Sequence, residues 1–274
     1  MENLTIAFIG SGNIASSMIG GLIANGIKPE KLIAADADKT QQQLISEKYG
    51  IRVFNVNYDA AKHADVIIFA VKPQVMPTVV KEIAENIKIE NKLILSVAAG
   101  VKLQSIANWL GQSSAIVRTM PNMPALIQAG ASALYANEFT NDKQRNTAET
   151  IMRSVGAAIW LDAEEQMDVV TALSGSGPAY FFYFMELMEK NAIEMGLNKE
   201  DAHLLTIETA LGAAKMALLS SYEPTTLRKQ VSSPGGTTEQ ALNIFIQGKL
   251  DKLVRNAMDA AKRRSVELSE SFKD

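Results

Sequence analysis

Residues 4–36 constrain the fold more than any other stretch of this chain. Leu4-Thr5-Ile6-Ala7-Phe8-Ile9 is short, apolar and β-branched, and predicts a buried strand. It runs straight into Gly10-Ser11-Gly12-Asn13-Ile14-Ala15, a G-x-G-x-x-A sequence. Ala15 to Ile23 continues as a helix with Met18, Ile19, Leu22 and Ile23 at helical spacing, and Lys31-Leu32-Ile33-Ala34-Ala35-Asp36 predicts a second strand ending on an acid. Strand, glycine turn, helix, strand and acid in this order form the dinucleotide-binding fingerprint in its required context. Gly10 makes the tight turn, Gly12 lets the backbone approach a pyrophosphate, and Ala15 keeps helix and strand close. A tight strand-to-helix turn without a ligand has the same local sequence, and the flanking pattern favours the binding reading.

The alternation continues. Ala64–Val71, Lys92–Val97 and Ala115–Arg118 predict three more buried strands, and Ala131–Tyr135 and Ala157–Leu161 two further ones. Strands separated by helices predict a Rossmann-type, doubly wound, mostly parallel sheet. Ligands of such sheets sit beyond the strand C-termini, where Lys72-Pro73, Ala98-Gly100 and Pro121-Asn122 all fall. Beyond Glu164 no convincing strand remains. Apolar-periodic stretches at 179–195, 199–219, 225–231 and from Thr238 onward, broken at Gly248, predict an all-α second part. The expected division is an α/β dinucleotide-binding domain over 1–163 and an all-helical substrate and dimerisation domain over 164–274, with the substrate site where the two meet.

Composition narrows the function. A length of 274 residues accommodates two domains, and 27 Lys plus Arg against 30 Asp plus Glu leaves a net charge of −3. That balance gives no electrostatic support to nucleic-acid or membrane-surface binding. The absence of cysteine excludes disulfides, thiolate catalysis and cysteine-ligated metals. His63 and His203 are the only histidines and lie far apart, which argues against a metal site. His63 is expected on a solvated helix end and His203 on a helix face. No basic leader follows Met1, and no apolar run is expected to approach the roughly 18 residues that span a bilayer; a soluble cytoplasmic protein is expected. Phe181, Phe182, Tyr183, Phe184, Met185, Met188 and Met195 make one helix apolar nearly all round, which points to burial against a second chain.

Late in the chain, Val231-Ser232-Ser233-Pro234-Gly235-Gly236-Thr237-Thr238 feeds a glycine turn into an amphipathic helix. Such a helix start aims backbone N–H groups at one spot where the dipole favours an anion, and a small carboxylate suits it. The same residues also suit an ordinary capped helix after a turn. A nicotinamide cofactor implies hydride transfer. β-Hydroxyacid dehydrogenases share the two-domain plan but place a lysine just after a glycine-rich turn, whereas here Ser174-Gly175-Ser176-Gly177-Pro178-Ala179-Tyr180 is followed by Phe181 and Phe182, with Lys190 the first lysine downstream. Reduction of a C=N bond, which needs little side-chain acid–base help, fits better than alcohol oxidation.

Together these motifs resemble the pyrroline-5-carboxylate reductase family. The resemblance runs from Phe8-Ile9-Gly10 through Ala70-Val71-Lys72-Pro73, Ala98-Ala99-Gly100-Val101, Arg118-Thr119-Met120-Pro121-Asn122-Met123-Pro124 and Ala172–Tyr180 to Ser232–Thr238, nearly the whole chain. It implies NAD(P)H-dependent reduction of L-1-pyrroline-5-carboxylate to L-proline, the last step of proline biosynthesis, with hydride delivered to the ring carbon of the C=N bond. By resemblance, the amides around Gly236, Thr237 and Thr238 hold the substrate carboxylate, and the Thr238 hydroxyl contacts the ring nitrogen as proton donor or relay. Ile9, Gly10, Ser11, Gly12, Asn13 and Ile14 would cradle the pyrophosphate, Asn57 would lie near the adenosine ribose, and Val71, Lys72 and Ala99 would line the path to the nicotinamide. Glu164 matches a substrate-side position, with a solvated helix-start acid as the plainer reading. The family's helical domain forms an intertwined dimer, often assembled into a decamer.

Two departures from the family pattern bear on specificity. Many members carry small polar or basic residues after the second strand, whereas this chain has Asp36-Ala37-Asp38. A carboxylate at Asp36 can accept from a ribose 2′-OH but repels a 2′-phosphate, which leans the chain to NADH or dual use, with Lys39 a partial offset. Gln230 stands where some relatives have Asn, and the substitution is expected to lose or lengthen a side-chain contact to substrate there. A reductase of a related cyclic imine and a non-catalytic NAD(P) sensor are the alternative functions.

Overall fold

The computed structural model describes residues 3–111 and 113–272; Met1, Glu2, Lys273 and Asp274, at the ends of the two expected domains, lie outside them. The chain forms two compact units, one of residues up to Ser176 together with those from Ala261 onward, the other Gly177–Ala260.

The first unit is built on an eight-stranded sheet. Its strands are β1 (Ile6–Ile9), β2 (Leu32–Ala35), β3 (Arg52–Phe54), β4 (Val66–Phe69), β5 (Leu93–Ser96), β6 (Ala115–Met120), β7 (Gly130–Ala136) and β8 (Gly156–Trp160). They lie in the order β3-β2-β1-β4-β5-β6-β7-β8. All neighbours pair in parallel except β6 and β7, which are antiparallel. The sheet is doubly wound, as expected from the alternation of strands and helices. β1 is buried at every residue, and its side chains alternate: Ile6 and Phe8 enter one core, Ala7 and Ile9 the other. A period of two with helices on both faces is why this strand is apolar throughout.

The strand at Arg52–Phe54 was not expected. It has only three residues, none of them fully buried, at the sheet edge, so the apolar run that marks the inner strands is missing. The antiparallel β7 was also illegible as such, because pairing direction depends on the connection rather than on side-chain pattern.

Helix α1 (Asn13–Ala24) buries Ala15, Met18, Ile19 and Leu22, one face at 3.6-residue spacing. On this sheet also lie α2 (Lys39–Tyr49), α3 (Asn57–Lys62), α4 (Met76–Asn86), α5 (Leu103–Leu110) and α6 (Asp142–Arg153). The last strand leads to α7 (Gln166–Val170) and then a π-helical turn at Thr171–Gly175. His63 caps the end of α3, exposed and stacked on Phe54 at 6.0 Å between centroids.

The second unit is entirely helical: α8 (Gly177–Glu194), α9 (Lys199–Leu219), α10 (Pro224–Gln230), α11 (Thr237–Gln247) and the first part of α12 (Leu250–Glu270). Phe184 on α8 and Phe245 on α11 lie 6.1 Å apart between centroids, and His203 on α9 meets Glu189 on α8 at 2.9 Å. Within the single chain Phe181 is 68% exposed and Met195 85%. A lone subunit therefore leaves this apolar surface uncovered. One expectation is corrected: α9, with 21 residues, is long and apolar enough to cross a membrane by length and composition. Its few charges, Glu208 and Lys215 among them, are spread thinly enough that an amphipathic reading hides the apolar length.

Candidate active site

The glycine turn sits where the strand order reverses, with β1 flanked by β2 on one side and β4 on the other. Such a switch point opens a crevice beyond the strand C-termini. Gly10 has φ 88, and a Cβ there would meet the Ala70 carbonyl oxygen at 2.8 Å, so both its conformation and its surroundings require glycine. Gly12 is the N-cap of α1, exposed, with open space where a Cβ would stand. No side chain caps this helix, and its first turn carries no acid. A helix start without a side-chain cap or an acid fits a dinucleotide pyrophosphate. A reduced nicotinamide dinucleotide bound at such a turn would supply hydride, with Gly10, Gly12 and the start of α1 as its cradle.

Ile9, Gly10 and Ser11 are buried and Ile14 partly so, while Gly12 and Asn13 face solvent. Val71 and Lys72 follow β4, and Ala99 follows β5, so the structure brings all three to the same sheet edge as the glycine turn. Lys72 and Ala99 are exposed and Val71 is half-buried. Asn57 opens α3, and its Nδ2 donates to Glu82 Oε2 at 3.1 Å.

Asp36, half-buried at the end of β2, is tied to the glycine turn. Its Oδ2 accepts from both the amide and the hydroxyl of Ser11 at 2.8 Å, and its Oδ1 accepts from the Asp38 amide at 3.0 Å. Gln41 Nε2 donates to the Ser11 carbonyl, and Gln42 Nε2 to the Asp36 carbonyl. Sequence reasoning placed Asp36 by the cofactor but missed this coupling, because a serine at the variable position of a glycine motif gives no sign of its partner.

Glu164 is not simply a solvated acid. Its Oε1 accepts from Arg118 Nη1 at 2.9 Å and from the Leu103 amide at 2.9 Å, so it neutralises a buried guanidinium and caps α5. A signal was present: Arg118 ends the apolar run Ala115-Ile116-Val117 in a buried strand and so demands an anion. Asn122 carries no signal of its own in the sequence beyond its place in the Pro121-Asn122 turn. Buried after β6, it donates to the Ser174 carbonyl at 3.0 Å and accepts from the Ala131 amide at 2.9 Å, joining the π-helical turn to β7. Asp168, also buried, accepts from Ser265 Oγ at 2.6 Å.

In the helical unit, Pro234, Gly235 and Gly236 turn the chain into α11. Gly235 takes φ 73 and its amide donates to Glu239 Oε2 at 2.8 Å. The Gly236 amide donates to the Ser233 carbonyl at 3.0 Å, and Gly236 is the N-cap. The amides of Thr237 and Thr238, in the first turn of α11, have no acceptor within the chain among the described residues. Of the amides expected to receive a carboxylate, those two are available and that of Gly236 is engaged in the turn. Thr238 is half-buried, and Gln230, the last residue of α10, is exposed.

A switch-point glycine cradle on a doubly wound sheet, followed by a helical unit, defines a nicotinamide-dependent oxidoreductase. Residues 164–268 match the family model described as pyrroline-5-carboxylate reductase dimerisation, and residues 5–100 match one described as NADP oxidoreductase, coenzyme F420-dependent. Among curated proteins, the pyrroline-5-carboxylate reductase of Pseudomonas aeruginosa is 47% identical over 272 residues, covering 99% of each chain. The solved pyrroline-5-carboxylate reductase of Coxiella burnetii superposes with a TM-score of 0.93 at 44% identity, over 97% of this chain and 98% of that one. The Plasmodium falciparum enzyme, solved with NADP bound, gives 0.87 at 29% identity, over 98% and 99%. The chain belongs to the pyrroline-5-carboxylate reductase family. The dimerisation match takes in α9 and α8 together, so their exposed apolar faces belong to a unit of the dimerising kind rather than to a membrane span.

Proposed function

We propose that this protein reduces L-1-pyrroline-5-carboxylate to L-proline with NADH or NADPH. The observation that carries the reading is the first turn of α11, where two adjacent backbone amides, those of Thr237 and Thr238, stand without acceptors among the described residues, at the positive end of a helix dipole. A substrate carboxylate would accept from both. Hydride adds to the ring carbon of the C=N bond as its π pair moves to nitrogen, and that nitrogen takes one proton. The Thr238 hydroxyl is the proposed donor or relay, replenished from water. Gly12, Asn13 and Ile14 would hold the pyrophosphate at the bare end of α1, with Val71, Lys72 and Ala99 along the nicotinamide path. Asn57 would reach the adenosine ribose and Gln230 the substrate.

Asp36 supports a lean towards NADH. Its carboxylate can accept from a ribose 2′-OH, whereas like charge disfavours a 2′-phosphate. The helical unit would form a homodimer, a basis for larger assemblies up to a decamer, in a cytoplasmic enzyme. The test is loss of NADH and NADPH absorbance on adding pyrroline-5-carboxylate, run side by side. Substrate-dependent oxidation with either cofactor supports the reaction; folded protein that binds NADH but turns over neither would overturn it.

A further inference from the structure

We propose that Ser11 is a specificity-determining positioning residue, which holds the Asp36 carboxylate against the glycine turn and thereby disfavours NADPH relative to NADH. This rests on the reading of Asp36 given above. A carboxylate offers about four acceptor positions. Among the described residues three are used: two on Oδ2 by the Ser11 amide and hydroxyl, one on Oδ1 by the Asp38 amide. One position on Oδ1 remains, enough for a single ribose hydroxyl.

The constraint matters because a carboxylate at this place need not exclude a 2′-phosphate. On a flexible side chain it could rotate towards solvent and let the phosphate in. Here rotation would forfeit hydrogen bonds from a Ser11 side chain that is fully buried and so cannot follow. Stripping them leaves the Ser11 amide and hydroxyl without acceptors at the pyrophosphate end of the site. The Ser11 carbonyl is in turn bonded by Gln41, which fixes the turn from the α2 side. Selectivity then depends on two residues acting as one: Asp36 supplies the charge and Ser11 its immobility.

The test uses the purified full-length chain and dissociation constants for NADH and NADPH, measured by nucleotide fluorescence titration without substrate. Ser11→Ala keeps the amide bond and loses the hydroxyl bond, one charge-assisted contact. The NADPH-to-NADH affinity ratio should rise about tenfold. Asp36→Ser should raise it at least as much, and Ser11→Ala placed on top of Asp36→Ser should add nothing. A thermal melt of each variant confirms that folded protein is compared. If Asp36→Ser shifts the ratio and Ser11→Ala does not, the role of Ser11 is refuted while that of Asp36 stands. If neither shifts it, the Asp36 reading itself fails. An equal Ser11→Ala effect in both backgrounds also refutes the proposal, because Ser11 would then act on the nucleotide without Asp36.

Discussion

Truncating Glu164 separates two accounts of that residue. Its Oε1 holds Arg118 and the Leu103 amide, each at 2.9 Å, and the side chains are 4% exposed for Arg118 and 18% for Glu164. Removing one partner of a buried pair costs about 3–5 kcal/mol, because the other charge stays buried without compensation. Glu164 keeps some solvent contact, which places the cost near the low end, at about 3 kcal/mol. Loss of the carboxylate from the start of α5 adds about 1 kcal/mol. For a unit of this size each kcal/mol lowers Tm by about 2–4 °C, so Glu164→Ala should melt about 10 °C below the parent in differential scanning calorimetry. Glu164→Gln keeps an acceptor for both donors and should lose only about 1–2 kcal/mol. Arg118→Met removes the buried charge, and the double variant Arg118→Met with Glu164→Ala should recover part of the Glu164→Ala loss, as expected for an ion pair rather than two independent contacts. If Glu164→Ala melts within 2 °C of the parent while KM for the imine rises, the structural account is refuted and the substrate-side role implied by the family resemblance stands.

Other consequences are open to direct measurement. Thr238→Ala should lower kcat about 100-fold with NADH affinity unchanged if its hydroxyl relays the proton; full turnover at normal KM would remove it from that role. Gly21 lies on α1 where an added Cβ would meet the Ser154 carbonyl oxygen, so Gly21→Ala should cost about 2 kcal/mol in urea unfolding, and an unchanged midpoint would contradict this close approach of α1 to Ser154. The Arg153 guanidinium, and after it the Trp160 indole N–H, hydrogen-bond Glu149 and hold its carboxyl below the ordinary value. A depressed carboxyl contributes stability above the unfolded-state pKa of about 4.3 and loses it as pH falls through the lower folded-state value. The Tm difference between the parent and Glu149→Gln should therefore be constant from pH 7 down to about 5 and narrow progressively as pH falls below about 4; a gap that does not narrow with falling pH would refute the assignment.

The nucleotide-binding half was legible because each of its determinants is local. Six residues of β1 and its approach, two glycines and an acid fix a strand, a turn and a crevice without reference to anything distant, and β1 proves buried on both faces as its uniform apolarity required. The turn into α11 was legible for the same reason, since Pro234, Gly235 and Gly236 determine where the first-turn amides point. Side-chain pairing was not legible. Asp36 reaches Ser11 across 25 positions, Glu164 reaches Arg118 across 46, and Asn122 reaches Ser174 across 52. None of these partners can be chosen by period or spacing, because each is selected by the order in which strands lie in the sheet. Yet each is forced once that order exists. A guanidinium in β6 with no anion within reach would be prohibitively costly, so the loop before α7 must bring one, and the acid that does so is then less available for substrate. The motif residues tell which ligand the fold can hold, and the long-range pairs decide which of those residues are still free to hold it.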